Sequence, residues 1–236
     1  MTDIRIHRLE SVRLVAGEGA PAFAVENRND IERYWQAAVS ANPRLWNGPF
    51  FMFEDVRIEG GVLTGTGRPT DFATFLYWRD NGRPDCVVHI TGTSLPVLAD
   101  GALLAVRMAA HTANAGQVYF PAGSFDAADM QGGRFDVTGN ISRELVEETG
   151  LEFREADAEA QHVAVCATGA IHVARRNRLP FDFEAARGRL ERHQAETGDD
   201  EIESAVAIRP GGDAIGLLKP YARALAMWHF ENETFR

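Results

Sequence analysis

Arg143-Glu144-Leu145-Val146-Glu147-Glu148-Thr149-Gly150-Leu151 is the stretch on which this chain's fold turns. Taken as a helix, it sets Glu144, Glu147 and Glu148 at i, i+3 and i+4, so the three carboxylates share one face. Ile141 and Leu145, four apart, fall on another side and can pack inward. Gly150 suits the position just past a helix end, where left-handed backbone costs glycine little. Like charges on adjacent turns oppose the helix by about 0.2–0.5 kcal/mol per pair. The only nearby cation is Arg143, four residues before Glu147. A hard divalent cation is the expected compensation, because Mg²⁺ prefers carboxylate oxygens, keeps several waters and bridges protein to phosphates. A solvated acidic face is the plain alternative, but such faces usually interleave Lys or Arg with their acids.

The same nine residues match the second half of the Nudix box, Arg-Glu-aliphatic-x-Glu-Glu-x-Gly-aliphatic, at every fixed position, and the chain resembles that family. Pro121-Ala122-Gly123 is similar to the Pro-Gly-Gly that opens the box. Nineteen residues separate Gly123 from Arg143 where the family has thirteen, so six are extra. They fall in 126–139, which carries Gly132, Gly133 and Gly139 and is expected to be a loop. The first glutamate of the box is absent. Asp129 takes its place counted from Gly123, and Phe135, beside Asp136, counted from Arg143. Asp136 or Thr138 is expected to cap the helix.

The resemblance implies an α/β/α sandwich with a mixed sheet. It also implies Mg²⁺, or Mn²⁺, held by Glu144, Glu147, Glu148 and the Gly123 carbonyl. Arg143 is implied to orient a glutamate. The implied activity is hydrolysis of a pyrophosphate bond in a nucleoside diphosphate linked to another moiety. Residues 45–77 are similar to the region before the box in members acting on nucleotide sugars, which favours a nucleotide sugar or ADP-ribose. Residues 121–129 resemble boxes with insertions in acyl-CoA diphosphatases, so CoA derivatives are the runner-up. A nucleotide-binding module that no longer hydrolyses is a third reading. Related enzymes often dimerise, which leaves a homodimer open.

The resemblance implies that the catalytic base is either a box glutamate or a glutamate on a later loop. Glu144 and Glu147 lie in the box, and the late candidates are Asp199, Asp200, Glu201 and Glu203, at an acidic loop before a strand; Glu201 is the preferred late carboxylate and Glu144 its rival. A solvated turn explains that loop about equally well. Arg107 and Gln117, near strand ends before the box, are candidates to meet the phosphates or base, although a surface ion pair accounts for Arg107 nearly as well. His111 precedes the box and could line the site; a lone loop histidine is more often incidental. No P-loop pattern is present, and Ser124 lacks a nucleophile-elbow context.

With 236 residues the chain can bury a sizeable core. A net charge of −10 argues against nonspecific nucleic-acid binding, which needs a basic face. Lys219 is the only lysine. Cys86 and Cys166 lack metal-type spacing and are expected to be free, buried thiols, which suits a reducing compartment. No secretory leader pattern follows Met1 and no apolar run reaches a membrane span, so the expected location is cytoplasmic, off the membrane.

Outside the box the pattern predicts extended segments over 4–15, a helix over 30–41, a hairpin over 50–66 turning at Gly60-Gly61, and a short helix over 71–78. Strands are expected over 86–90, 94–97 and 102–108, with Asp100-Gly101 as a hairpin signal. A strand over 118–121 leads into the box. A long β run over 162–173 contains Gly169. Residues 175–179 are expected as a basic loop, 181–196 as a helix, 202–208 as a strand and 217–231 as a closing helix. Residues 1–85 are expected as an N-terminal extension packed on a hydrolase domain of 86–236.

Overall fold

The computed structural model of the chain describes residues 4–232. The first part of the chain holds β1 (Arg5–Leu9), β2 (Ser11–Ala16), α1 (Ala22–Glu26), α2 (Arg28–Ala41), β3 (Pro49–Glu59), β4 (Val62–Asp71) and α3 (Phe72–Asp80). The middle holds β5 (His89–Val97), β6 (Leu103–Met108), β7 (Val118–Tyr119), β8 (Ala122–Ser124), β9 (Met130–Gln131), β10 (Arg134–Phe135) and α4 (Val137–Thr149). Then follow β11 (His162–Ala167), β12 (Ala170–Arg178), α5 (Phe183–Thr197), β13 (Ile202–Ile208) and α6 (Pro220–Glu231).

The principal sheet has the order β1-β11-β12-β5-β6-β13, with β7 on β6 and β8 on β5. β12 and β5 run parallel and the other pairings are antiparallel, so the sheet is mixed. Alternate residues along each strand face opposite sides. Val163, Val165, Ala174 and Leu95 meet Leu225 and Ala226 of α6 on one face. Ala164, Val173 and Ile90 meet Val137 and Ile141 of α4 on the other, where α5 packs beside α4 through Ala186 and Leu145. Helices therefore cover both faces, which is the α/β/α class expected.

A second sheet, β3-β4-β2-β10-β9, is built from the N-terminal part and the box insertion. Residues 4–85 thus do two things: β1 pairs along β11 within the principal sheet, and β2 to β4 form most of the second. The segment 126–139 is not simply a loop. Gly132 and Gly133, at φ of 58° and 76°, turn β9 into β10, and Arg134 pairs with Val15 of β2. That φ > 0 pair is the backbone a tight hairpin turn requires. Phe135 then packs edge-on against Phe51 and Phe53, tying the insertion to the second sheet.

The basic loop expected over 175–179 is strand instead. Arg175 and Arg176 are buried within β12, and each guanidinium is bracketed by a carboxylate, Glu155 at 2.6 and 2.8 Å and Glu159 at 2.6 and 2.7 Å. Paired, fully hydrogen-bonded arginines can stay inside where unpaired ones could not. Cys86 is exposed, against expectation, and Cys166 is partly buried; both are free. Gly101 and Gly169, at φ of 82° and 69°, make the turns their sequence context suggested.

Candidate functional site

The box helix α4 begins at Asp136, whose side chain accepts from Gly139 N at 2.9 Å, and ends at Gly150 in the left-handed region. Leu145 and Ile141 are fully buried, as their spacing predicts. What lets this helix lie so close to the sheet is a pair of glycines. Gly92 of β5 and Gly123 of β8 are cross-strand partners. A Cβ on Gly92 would sit 2.1 Å from Asn140 Oδ1, and one on Gly123 would sit 1.8 Å from Glu144 Cδ. The Glu144 carboxylate therefore rests on bare backbone at Gly123. Gly92 and Asn140 were not singled out from sequence; a glycine inside a β-rich run was the available signal.

The three box glutamates sit in different surroundings. Glu144 has 13% of its side chain exposed and lies 2.8 Å from Arg143 Nη2. Glu148 lines the same cleft, and its Oε2 is closed from solvent with no hydrogen-bond partner. Glu147 instead leaves 57% of its side chain exposed and pairs with Arg143 Nη1 at 2.7 Å. Arg143 thus pairs with both Glu144 and Glu147, the second as an i, i+4 pair, and sets one positive charge against the three acids. Arg143 is itself held by Asp129, a buried residue that also accepts from Asn140 Nδ2 at 3.0 Å.

Across the cleft stand Glu201, Asp200 and His111, with Arg44 and Trp46 at the rim; the cleft holds about 490 Å³. His111 Nε2 lies 3.2 Å from Asp200 Oδ1, and Arg44 lies 3.0 Å from Asp200 Oδ2. Asp200 is thus occupied, while Glu201 has no cationic partner among the described residues. Glu201 O accepts from Ala109 N at 2.8 Å, which fixes the start of β13 beside the end of β6. The structure thus brings the late acidic loop to the box helix, and His111 with it. Arg107 and Gln117 line neither this cleft nor the cavity beyond it. Arg107 donates to the Gly116 carbonyl at 3.3 Å, and Gln117 Oε1 is buried without a partner.

Burial pushes the Glu144 carboxyl up to about 7, with Glu147 and Asp129 adding to the rise and Arg143 opposing it. Burial also raises Glu148 well above the usual carboxylate range, with Glu144 and Glu201 adding repulsion. Glu201 is raised by burial and then by Asp199. Carboxyls whose charged form is this disfavoured, one with an orphaned oxygen, fit a cation that would restore the charge. Glu144, Glu148 and the Gly123 carbonyl are all oxygen donors, the set a hard divalent ion takes. Among the described residues, no three His, Cys, Asp or Glu side chains are already drawn into a closed metal cage. Mg²⁺ characteristically needs none, since waters and substrate phosphates complete its shell.

No family model matches the chain, and no curated protein matches it. Solved structures do. The chain is similar to the MutT protein from Methanosarcina mazei Go1, at 19% identity over 63% of this chain and 96% of that one, with a TM-score of 0.44. It is similar to the Nudix domain of Shewanella oneidensis NrtR, solved with ADP-ribose, at 14% identity over 67% and 98%, with a TM-score of 0.44. It is also similar to a Nudix hydrolase from Nitrosomonas europaea, at 18% identity over 62% and 90%, with a TM-score of 0.40. All three are Nudix proteins, the family that the box residues resemble. Their identities are below 20% and their TM-scores below 0.5, so the chemistry of this site rests on its own side chains.

Proposed function

We propose that this chain is a Nudix-type, Mg²⁺-dependent hydrolase that cleaves the pyrophosphate bond of a nucleoside diphosphate linked to another moiety, a nucleotide sugar or ADP-ribose. The observation that carries the proposal is the meeting of Glu144, Glu148 and Glu201 in one cleft, with Glu148 Oε2 buried and unpartnered.

A diphosphate brings roughly two negative charges to a chain of net charge −10, so it will not approach bare carboxylates. When bound, Mg²⁺ would neutralise phosphate oxygens and make a water easier to deprotonate. Glu144 and Glu148 would hold it, with Mn²⁺ as a substitute, and the Gly123 carbonyl would complete the protein's share. Glu147, on the same helix and 57% exposed, is the third candidate ligand; Arg143 pairs with it as it does with Glu144. Arg143 positions Glu144 from one side while Asp129 fixes Arg143 from the other, so a rotamer that would otherwise be mobile is held in place. Glu201, on the opposite wall, is the preferred general base. Burial, and then Asp199, raise its pKa, which makes it a stronger proton acceptor than an ordinary carboxylate. Glu144 remains the rival base.

The test is a panel of nucleoside diphosphate derivatives incubated with Mg²⁺, with the products identified. A nucleoside monophosphate with a sugar phosphate supports the proposal. Release of a phosphopantetheine from CoA derivatives would move the substrate class. Nucleotide binding with no metal-dependent turnover on any member would make this chain a binding module.

A further inference from the structure

The groove continues beyond the carboxylates. Phe50, Tyr119 and Ala122 line the acidic cleft and also a second cavity of about 410 Å³. The charge reverses there. Among the described residues no Asp or Glu lines the second cavity, and Arg79, Arg83 and Lys219 do.

These cations are poorly compensated. Arg79 pairs with Asp80 at 2.8 Å. Arg83 reaches the Thr168 carbonyl at 3.5 Å, lies over the Trp78 ring and shares the charge of Asp80 with Arg79. Lys219, the chain's one lysine, sits 5.5 Å from the centre of the Tyr119 ring and has no carboxylate partner among the described residues. Burial first, and then the charges of Arg79 and Arg83, bring the Lys219 ammonium down to about 8, so the three cations feel one another. The two histidines of the cavity, His172 buried and His89 half-buried, add no charge. Burial takes His89 down to about 3, His172 is lowered well below its usual value, and their ring nitrogens are engaged by Ser124 and Thr91 at 2.9 and 2.8 Å. Phe75 and Tyr221, the latter stacked on His172 at 3.6 Å, give the wall flat aromatic faces, beside the polar Asn114 and Thr168.

Like charges gathered in a half-buried cavity repel, and an anion relieves that repulsion. The diphosphate is already claimed by the opposite end, through metal. We infer that the second cavity is an anion subsite, where Lys219 and Arg83 hold a phosphate or carboxylate that the substrate carries apart from its diphosphate, with the adjoining ring against the aromatic wall. This rests on diphosphate hydrolysis at the acidic end. The shared chemistry is a remote anion; its sources are a phosphate on the ribose or a carboxylate on the sugar.

Two matched pairs separate the sources: ADP-ribose against its 2′-phosphate, and UDP-glucose against UDP-glucuronate. Turnover with Mg²⁺ and binding by calorimetry are measured for all four. In at least one pair the charged member is expected to lead in kcat/KM by about tenfold or more, equivalent to about 1.4 kcal/mol. Lys219→Gln and Arg83→Gln are expected to shrink that ratio towards one. Turnover at equal rates within both pairs overturns the subsite and leaves hydrolysis standing. Tighter binding of a charged member without turnover sinks hydrolysis and keeps the subsite. A loss in the variants that is equal on both members means the cations grip the common diphosphate, and overturns it. The wild-type comparison decides even if a variant fails to fold.

Discussion

Asp129 grips Arg143 across fourteen residues of chain, with Oδ2 3.0 Å from Nη2 and Oδ1 3.2 Å from Nε. Burial works against the guanidinium's charge, and the hydrogen bonds to Asp129 with the charges of Glu144 and Glu147 more than offset it. Arg143 is thereby a rigid post, and Glu144 leans on it at 2.8 Å. Asp129→Asn removes the charge with little change of shape. It is expected to cost about 2–3 kcal/mol, the range for a charged hydrogen-bonded pair, read as a shift in urea midpoint. Turnover is expected to fall as well, because Glu144 loses its orientation.

Glu148→Gln separates chemistry from folding. The buried carboxyl is costly when charged, so the variant should be no less stable than wild type without metal, by thermal unfolding. Its turnover should fall by about a thousandfold, a loss typical of removing a principal electrostatic group. Retained activity would remove Glu148 from the site.

Glu201→Gln and Glu144→Gln distinguish the two candidate bases. If Glu201 is the base, its variant loses about 10²–10⁴ in kcat while metal affinity stays near wild type. Glu144→Gln is expected to weaken metal binding and turnover together. The reverse pattern would make Glu144 the base.

Gly123→Ala is a one-carbon test. Its Cβ would fall 1.8 Å from Glu144 Cδ, so the carboxylate must leave its seat. Activity is expected to drop far more than stability, by comparing turnover with the thermal midpoint.

The box helix, its Asp136 cap, its Gly150 terminus and its buried Ile141 and Leu145 were legible because they follow local spacing. The i, i+3, i+4 spacing says which acids share a face, and cannot say that Arg143 pairs with Glu144 and Glu147 at 2.8 and 2.7 Å. The hairpin of 130–135 was missed because two-residue strands carry no period, and its partner, Val15 of β2, lies more than a hundred residues away. Arg175 and Arg176 read as loop for a similar reason. Their burial depends on Glu155 and Glu159, which no local pattern reveals. Glu201 lines the cleft with Glu144 and Glu148 because β13 pairs with β6 and Glu201 O accepts from Ala109 N just past the end of β6.

Proton linkage gives a pH prediction. Glu144 has a folded pKa of about 7 against an ordinary 4.5. Between those values the folded state holds more protons than the unfolded one, so stability without metal falls as pH rises and the loss is complete above the folded pKa. Glu148, raised by burial, acts in the same direction. Thermal midpoints in chelator are expected to decline from about pH 5 to about pH 8, and Mg²⁺ is expected to recover them at the upper end.

Calorimetric titration of the metal-free protein with Mg²⁺ and Mn²⁺ near neutral pH, in two buffers of different ionisation heat, tests the acid cluster most directly. The account predicts saturable binding with protons released from Glu144 and Glu148, lost in Glu148→Gln. Absence of binding by either ion, or binding that Glu148→Gln leaves untouched, would contradict it.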